Sequence, residues 1–239
     1  MAIFRQSSVT PVVICAPAYA DGSMKRRWII VGISSMALIC AGILVRTVRK
    51  NRQLAKRAAM YRVLAEQGDA KAQCALGASY YYGKGVPKDD VQAARWYLKS
   101  AEQGNVNAQA SIASMHYDGK GLPQDYSESA RWCRRAAEQG DSPAQYSVGI
   151  LYSRGQGVPQ DYAEAVRWYR KSADQGYPKA QYALGFMYYH GYGVQRDRVQ
   201  AVDLFQQAAA HGNEQAKRAL QCDRKGISID PGAGLRGLQ

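Results

Sequence analysis

The sequence predicts an all-α fold: an α-solenoid of tandem 36-residue helix-turn-helix repeats, with an N-terminal transmembrane helix. Three observations carry that prediction. Glycine recurs at Gly68, Gly104, Gly140, Gly176 and Gly212, and each step is 36 residues. The blocks 69–104, 105–140, 141–176 and 177–212 align without a gap: Ala72, Ala108, Ala144 and Ala180 coincide, each followed by Gln, as do the pairs Gly83/Gly85, Gly119/Gly121, Gly155/Gly157 and Gly191/Gly193. Self-similarity at a period of about 20–50 residues marks supersecondary units that bury their apolar faces only by stacking. Ahead of the repeats, Trp28–Val45 runs 18 residues without a charge between basic clusters.

Residues 1–27 read as a disordered leader, and 28–45 as the spanning helix. At 1.5 Å per residue, 18 residues reach about 27 Å, the short end of a membrane span. A cleaved signal peptide starting at Met24-Lys25-Arg26-Arg27 is the rival reading, but no small-x-small site lies between the apolar run and Arg46. Residues 46–53 form a basic linker, and 54–68 the second helix of a half repeat. The segment 213–222 is a closing half repeat within a solenoid of 54–224, and the Gly-rich stretch 225–239 is expected to be a disordered tail.

In each repeat the first helix opens on an N-cap residue, Asp69, Asn105 or Asp141, with Tyr177 as the exception; Asn213 opens the closing half repeat. Its buried stripe is Ala72, Leu76 and Tyr80, repeated as Ala108–Ile112–His116, Ala144–Val148–Tyr152 and Ala180–Leu184–Tyr188. A small residue recurs at Gly77, Ala113, Gly149 and Gly185, where the second helix is expected to approach closely. The Gly-x-Gly segment then breaks the helix. Asp89, Asp125, Asp161 and Asp197 cap the second helix, and Gln92, Glu128, Glu164 and Gln200 stand three residues on, at capping-box spacing. Its apolar stripe is Ala93, Trp96, Tyr97 and Ala101, echoed by Trp132 and Ala137, then Ala165, Trp168, Tyr169 and Ala173. The closing glycine is the left-handed residue that ends it.

Blocks such as 141–176, with Ala-Gln-Tyr early, Leu-Tyr-x-x-Gly-x-Gly-Val-Pro-Gln-Asp-Tyr in the middle and Arg-Trp-Tyr-Arg-Lys-Ser-Ala-x-Gln-Gly at the end, resemble Sel-1-like repeats, a branch of the tetratricopeptide-like solenoids. The fourth block departs from the pattern, with Leu204-Phe205 for Trp-Tyr and Gln195 for proline. The resemblance implies a binding scaffold whose first helices line a groove.

The net charge of +13 invites a nucleic-acid reading, but its distribution does not support one. Residues 1–68 hold 11 Lys/Arg against Asp21 and Glu66, leaving 21 basic against 17 acidic residues elsewhere. Charge beside a span sets topology and attracts anionic head groups. The excess after the span, from Arg46 to Arg62, places the repeats on the cytoplasmic side of a bacterial inner membrane. A basic N-terminus leading into an apolar run can instead initiate export, which would place the repeats in the periplasm.

No catalytic, metal or cofactor constellation emerges. His116, His190 and His211 lack ligand spacing, and no serine has a lysine three residues later. His116 takes the slot of Tyr80 and Tyr152 and reads as a satisfied core histidine; a Cys133–His116 pair is the reactive alternative. Cys74 and Cys133 stand where other repeats have Ala or Tyr and read as small apolar fillers.

The functional signal lies in the face of the first helices that varies between repeats. Tyr81, Tyr117, Tyr146, Ile150, Tyr182, Phe186 and Tyr189 turn it aromatic toward the C-terminus, with Lys179 and Arg154 at its rim. Aromatics on such a face suit a protein or peptide partner, unless they pack against the next repeat. The second helices carry a basic ridge through Arg95, Lys99, Arg131, Arg134, Arg135, Arg167, Arg170 and Lys171, with i, i+4 partners Glu138 and Asp174. The reading is a membrane-anchored interaction scaffold. A cell-envelope enzyme, or a peptidoglycan- or glycan-binding module using the same tyrosines, is the alternative.

Overall fold

The computed structural model describes residues 22–229, with side chains from Leu44 onward. Ten helices run in order: α1 Gly22–Glu66, α2 Ala70–Tyr82, α3 Asp90–Glu102, α4 Val106–Asp118, α5 Tyr126–Glu138, α6 Ser142–Arg154, α7 Tyr162–Asp174, α8 Pro178–His190, α9 Arg198–Ala210 and α10 Glu214–Arg224. There is no strand among the described residues. Two compact units divide the chain after Asn51, and the repeat array, from Arg52 on, is the second. The leader up to Asp21 and the tail from Asp230 on lie outside the described residues, as do the side chains of 28–43 on which the spanning expectation rests. Among the described residues no helix is long and apolar enough to cross a membrane.

Capping explains where the repeat helices begin. The carboxylate or amide of Asp69, Asn105, Asp141 and Asn213 accepts from the backbone N–H three residues on, while Tyr177 makes no such bond. Asp89, Asp125, Asp161 and Asp197 do the same for the second helices. The reciprocal half of the expected capping box does not form, for a specific reason. The cap residue's own N–H is already taken by the preceding first helix: Asp89 donates to Tyr80 O, Asp125 to His116 O, Asp161 to Tyr152 O and Asp197 to Tyr188 O. Glu128 and Glu164 instead pair with Arg131 and Arg167, three residues on.

Within each repeat, the recurring small residue is where the two helices touch. A Cβ on Gly77 would stand 2.9 Å from the Tyr97 ring, on Gly149 2.5 Å from Tyr169, and on Gly185 2.8 Å from Phe205. The second repeat relaxes the rule because Cys133 replaces the ring, and Ala113 is tolerated opposite it.

Between repeats, two devices set the register. The second glycine of each Gly-x-Gly abuts the start of the previous repeat's second helix: a Cβ on Gly121 would lie 2.1 Å from Asp90 O, and on Gly157 2.0 Å from Tyr126 O. These glycines are therefore stacking contacts as well as turn residues. The glutamine after each shared alanine is buried and stitches the array. Gln73, Gln109 and Gln145 donate to Ala65 O, Ala101 O and Ala137 O at 3.1–3.2 Å, and accept from Gln103, Gln139 and Gln175 at 2.7 Å. His211 replaces that last donor in the fourth repeat, and Gln181 Oε1 is left buried without a partner among the described residues.

Candidate functional site

The first helices leave open space between α4 and α6. A cavity of about 490 Å³ is lined by Ala110, Ala113, Ser114 and Tyr117 from α4, Ser147, Ile150, Leu151 and Arg154 from α6, and Ser129 and Cys133 from α5 beneath. Its origin is the missing ring. Position 133 is Tyr97, Tyr169 and Phe205 in the other repeats, and only here is it small. A second cavity of about 390 Å³, lined by Tyr81, Tyr82, Asn107 and Ser111, shares Ala110, Ser114 and Pro143 with the first. One groove thus runs from Tyr82 to Arg154 with an apolar floor and hydroxyls along its walls. Ser111 and Ser147 donate to Asn107 O and Pro143 O, one turn back, while Ser114 is exposed.

Of the residues expected at the site, Tyr81, Tyr117 and Ile150 are half-buried and face this groove. Tyr117 donates to Gln156 Oε1 at 3.0 Å and accepts from Arg154 at 3.3 Å. Three others are corrected. Tyr146, Tyr182 and Phe186 are 6%, 4% and 2% exposed and belong to the C-terminal core. A ring at these registers reaches across to its neighbours and is covered by them. Tyr146 packs 5.8 Å from Tyr169 and 5.5 Å from Tyr177, and Tyr182 5.6 Å from Phe205. Burial raises the pKa of both tyrosines. Tyr189 is half-buried at the far end, and Lys179 is exposed. The open groove therefore lies in the first half of the array, where side chains are small, rather than in the aromatic second half. Sequence reasoning makes Cys133 a filler and Ala113 a helix-contact residue, puts Ser114 on the variable face without a role, and misses Ser147. The signal is present in the 97/133/169/205 column, where one residue lacks a ring.

Cys133 is held as a buried thiol. Its thiol donates to Ala144 O at 3.4 Å, and burial pushes its pKa up to about 12, so it stays protonated near neutral pH. His116 is half-buried in the tyrosine slot, but its Nδ1 has no partner among the described residues, so the histidine is not the satisfied one expected.

Most of the basic ridge is internally engaged. Arg134 donates to Tyr152 Oη and Arg170 to Tyr188 Oη, each on the next repeat, in place of the expected pairs with Glu138 and Asp174. Lys99, Arg135 and Lys171 lie 4.2–4.7 Å over the rings of Trp96, Trp132 and Trp168.

A stack of helix pairs with Ala-Gln stitches and a side-chain-specified groove defines a class of α-solenoid binding scaffold. The Sel1 repeat model matches residues 70–105, 106–141, 142–177 and 178–213, and the chain belongs to that family. This solenoid fold typically serves protein–protein interaction. The chain is similar to a protective antigen of uropathogenic Escherichia coli with an SLR fold, at 35% identity and a TM-score of 0.68, over 76% of this chain and 40% of that one. It is also similar to a Sel1 repeat protein from Oxalobacter formigenes, at 35% identity and a TM-score of 0.66, over 76% of this chain and 73% of that one. This chain thus spans less than half the length of the E. coli antigen. No curated protein matches it.

Proposed function

We propose that the protein is a membrane-tethered scaffold that binds an extended apolar segment of a protein partner in the groove between α4 and α6. The observation that carries this reading is the cavity opened by Cys133 in the slot of a ring. An apolar floor gains by covering, roughly 25 cal/mol per Å². Small walls admit a main chain, and the serine hydroxyls can turn to pair with its amides. The tyrosine-based glycan reading loses Tyr146 and Tyr182 to burial. The tether rests on the uncharged run Trp28–Val45 and its basic flanks, with the cytoplasmic side favoured by the basic excess after it.

The test is selection from a displayed random-peptide library on the full chain in detergent micelles. Apolar, extended sequences are expected, with affinity lost on Ser114→Trp, which fills the shared wall of both cavities, and kept on Arg170→Glu. Binding that survives Ser114→Trp would place the site elsewhere. Carbonate-resistant membrane association of the full chain tests the tether, and a soluble product would remove it.

A further inference from the structure

The C-terminal end of the first-helix face is closed at a register that the other repeats leave open. Phe186 shares its register with Ala78, Ser114 and Ile150, which are half-buried or exposed, yet Phe186 is 2% exposed. Two features are peculiar to this end. One is an aromatic nest: Phe186 lies 4.4 Å from the His190 ring, and Tyr189 and Tyr192 lie 5.0 and 5.4 Å from it. The other is the segment after α10, expected to be disordered, which folds back.

How it folds back is legible residue by residue. Gly226, at φ 66°, closes α10: its N–H bonds Asp223 O, and Ile227 N–H bonds Cys222 O at 2.9 Å. Arg198 pins that helix end to α9 through Asp223 at 2.8 Å. Beyond the helix end Ile227, 53% exposed, and Ser228 face outward, and Ile229, 5% exposed, turns inward. Ile229 joins the cluster that holds Phe186, and its backbone meets the His190 side chain. Beside it, Gly226, Ile227 and Ser228 close a cavity of about 340 Å³ against Tyr189, His190, Arg196 and Arg198.

We propose that the pocket formed by Phe186, Tyr189, His190 and Tyr192 is a docking site for a branched aliphatic side chain. This chain fills it in cis with Ile229, so that release of the tail opens the C-terminal end of the face to a partner segment of the same kind. The docking of Ile229 stands apart from the central groove; the opening to a partner rests on the function proposed above.

Amide hydrogen exchange on the full chain in detergent micelles tests it. Ile229→Asp is expected to raise exchange in 183–192 and 225–229 roughly tenfold or more, the burial of one aliphatic side chain, and to leave α2 to α7 unchanged. Ile227→Asp, at the exposed position, changes nothing. Phe186→Ser, which installs the residue of the second repeat, frees the tail without placing a charge in the core. A synthetic peptide of residues 226–239 added to the Ile229→Asp chain restores protection saturably. Unchanged exchange in Ile229→Asp, or no restoration by the peptide, overturns the proposal. Loss of protection on diluting the wild type would make the occupant a second copy and overturn the cis assignment. Exchange rising throughout α8 to α10 in both variants would make the tail a structural cap, and that too overturns it. Library peptides that fail to bind while the tail remains docked refute the central-groove reading alone.

Discussion

The cavity between α4 and α6 should be removable by restoring the pair that the other repeats carry. Cys133→Phe reproduces Phe205, and Ala113→Gly reproduces Gly185, where a Cβ would lie 2.8 and 2.9 Å from the ring and 3.1 Å from Ala201 O. Carbon atoms at rest stand about 3.5–4.0 Å apart, so the Ala113 methyl would sit inside a ring placed at 133. Cys133→Phe alone should therefore destabilise by about 1–3 kcal/mol as overpacking. Ala113→Gly alone removes a methyl and adds helix entropy, about 1 kcal/mol. Together they should be near wild type or better, because the ring now fills the cavity and is itself buried, worth about 1.5–3 kcal/mol. The cycle predicts a favourable coupling of at least about 2 kcal/mol. Chemical denaturation of the four chains, with slopes checked for equality, measures it. Additive effects within about 0.5 kcal/mol would refute the claim that the missing ring makes the cavity.

Particular contacts set three further outcomes. Gly157→Ala puts a Cβ 2.0 Å from Tyr126 O at φ 70°, whereas Gly140→Ala, at φ 92°, meets nothing within 4 Å. Left-handed strain of about 1–2 kcal/mol applies to both, so melting should fall much further for Gly157→Ala, and equal shifts would refute the stacking role. Trp132→Ala, at a residue 3% exposed, should cost about 3–5 kcal/mol in denaturation; an unmoved midpoint would refute the buried stripe. Burial, then Arg196, lower the His190 pKa from 6.5, partly opposed by the Ile229 backbone. Because the folded value is depressed, the contribution of His190 to folding stability is fully present above pH 6.5 and is lost as pH falls below it toward the folded pKa. Denaturation midpoints at about pH 7.5 and about pH 5.5, either side of that window, check this, and His190→Leu should reduce the difference.

The sequence alone determined the repeat. A 36-residue glycine period, caps at Asp89, Asp125, Asp161 and Asp197, and Tyr177 as the uncapped start all reappear in the helices, because capping and helix termination are local chemistry. The close approach at Gly77, Gly149 and Gly185 was legible for the same reason: a costly residue kept at one register implies a neighbour. Only the tertiary structure decided what lies on each surface. A helical wheel places Tyr146, Tyr182 and Phe186 on the face opposite their own partner helix, but Tyr146 and Tyr182 pack against Tyr169 and Phe205 of that very helix, and all three are buried in the C-terminal core. It likewise turned Arg134 and Arg170 from intrahelical carboxylates to tyrosines of the next repeat. Burial and pairing of this kind depend on how units stack in three dimensions, and a ring lost at Cys133 becomes a groove only when two first helices stand on either side of it.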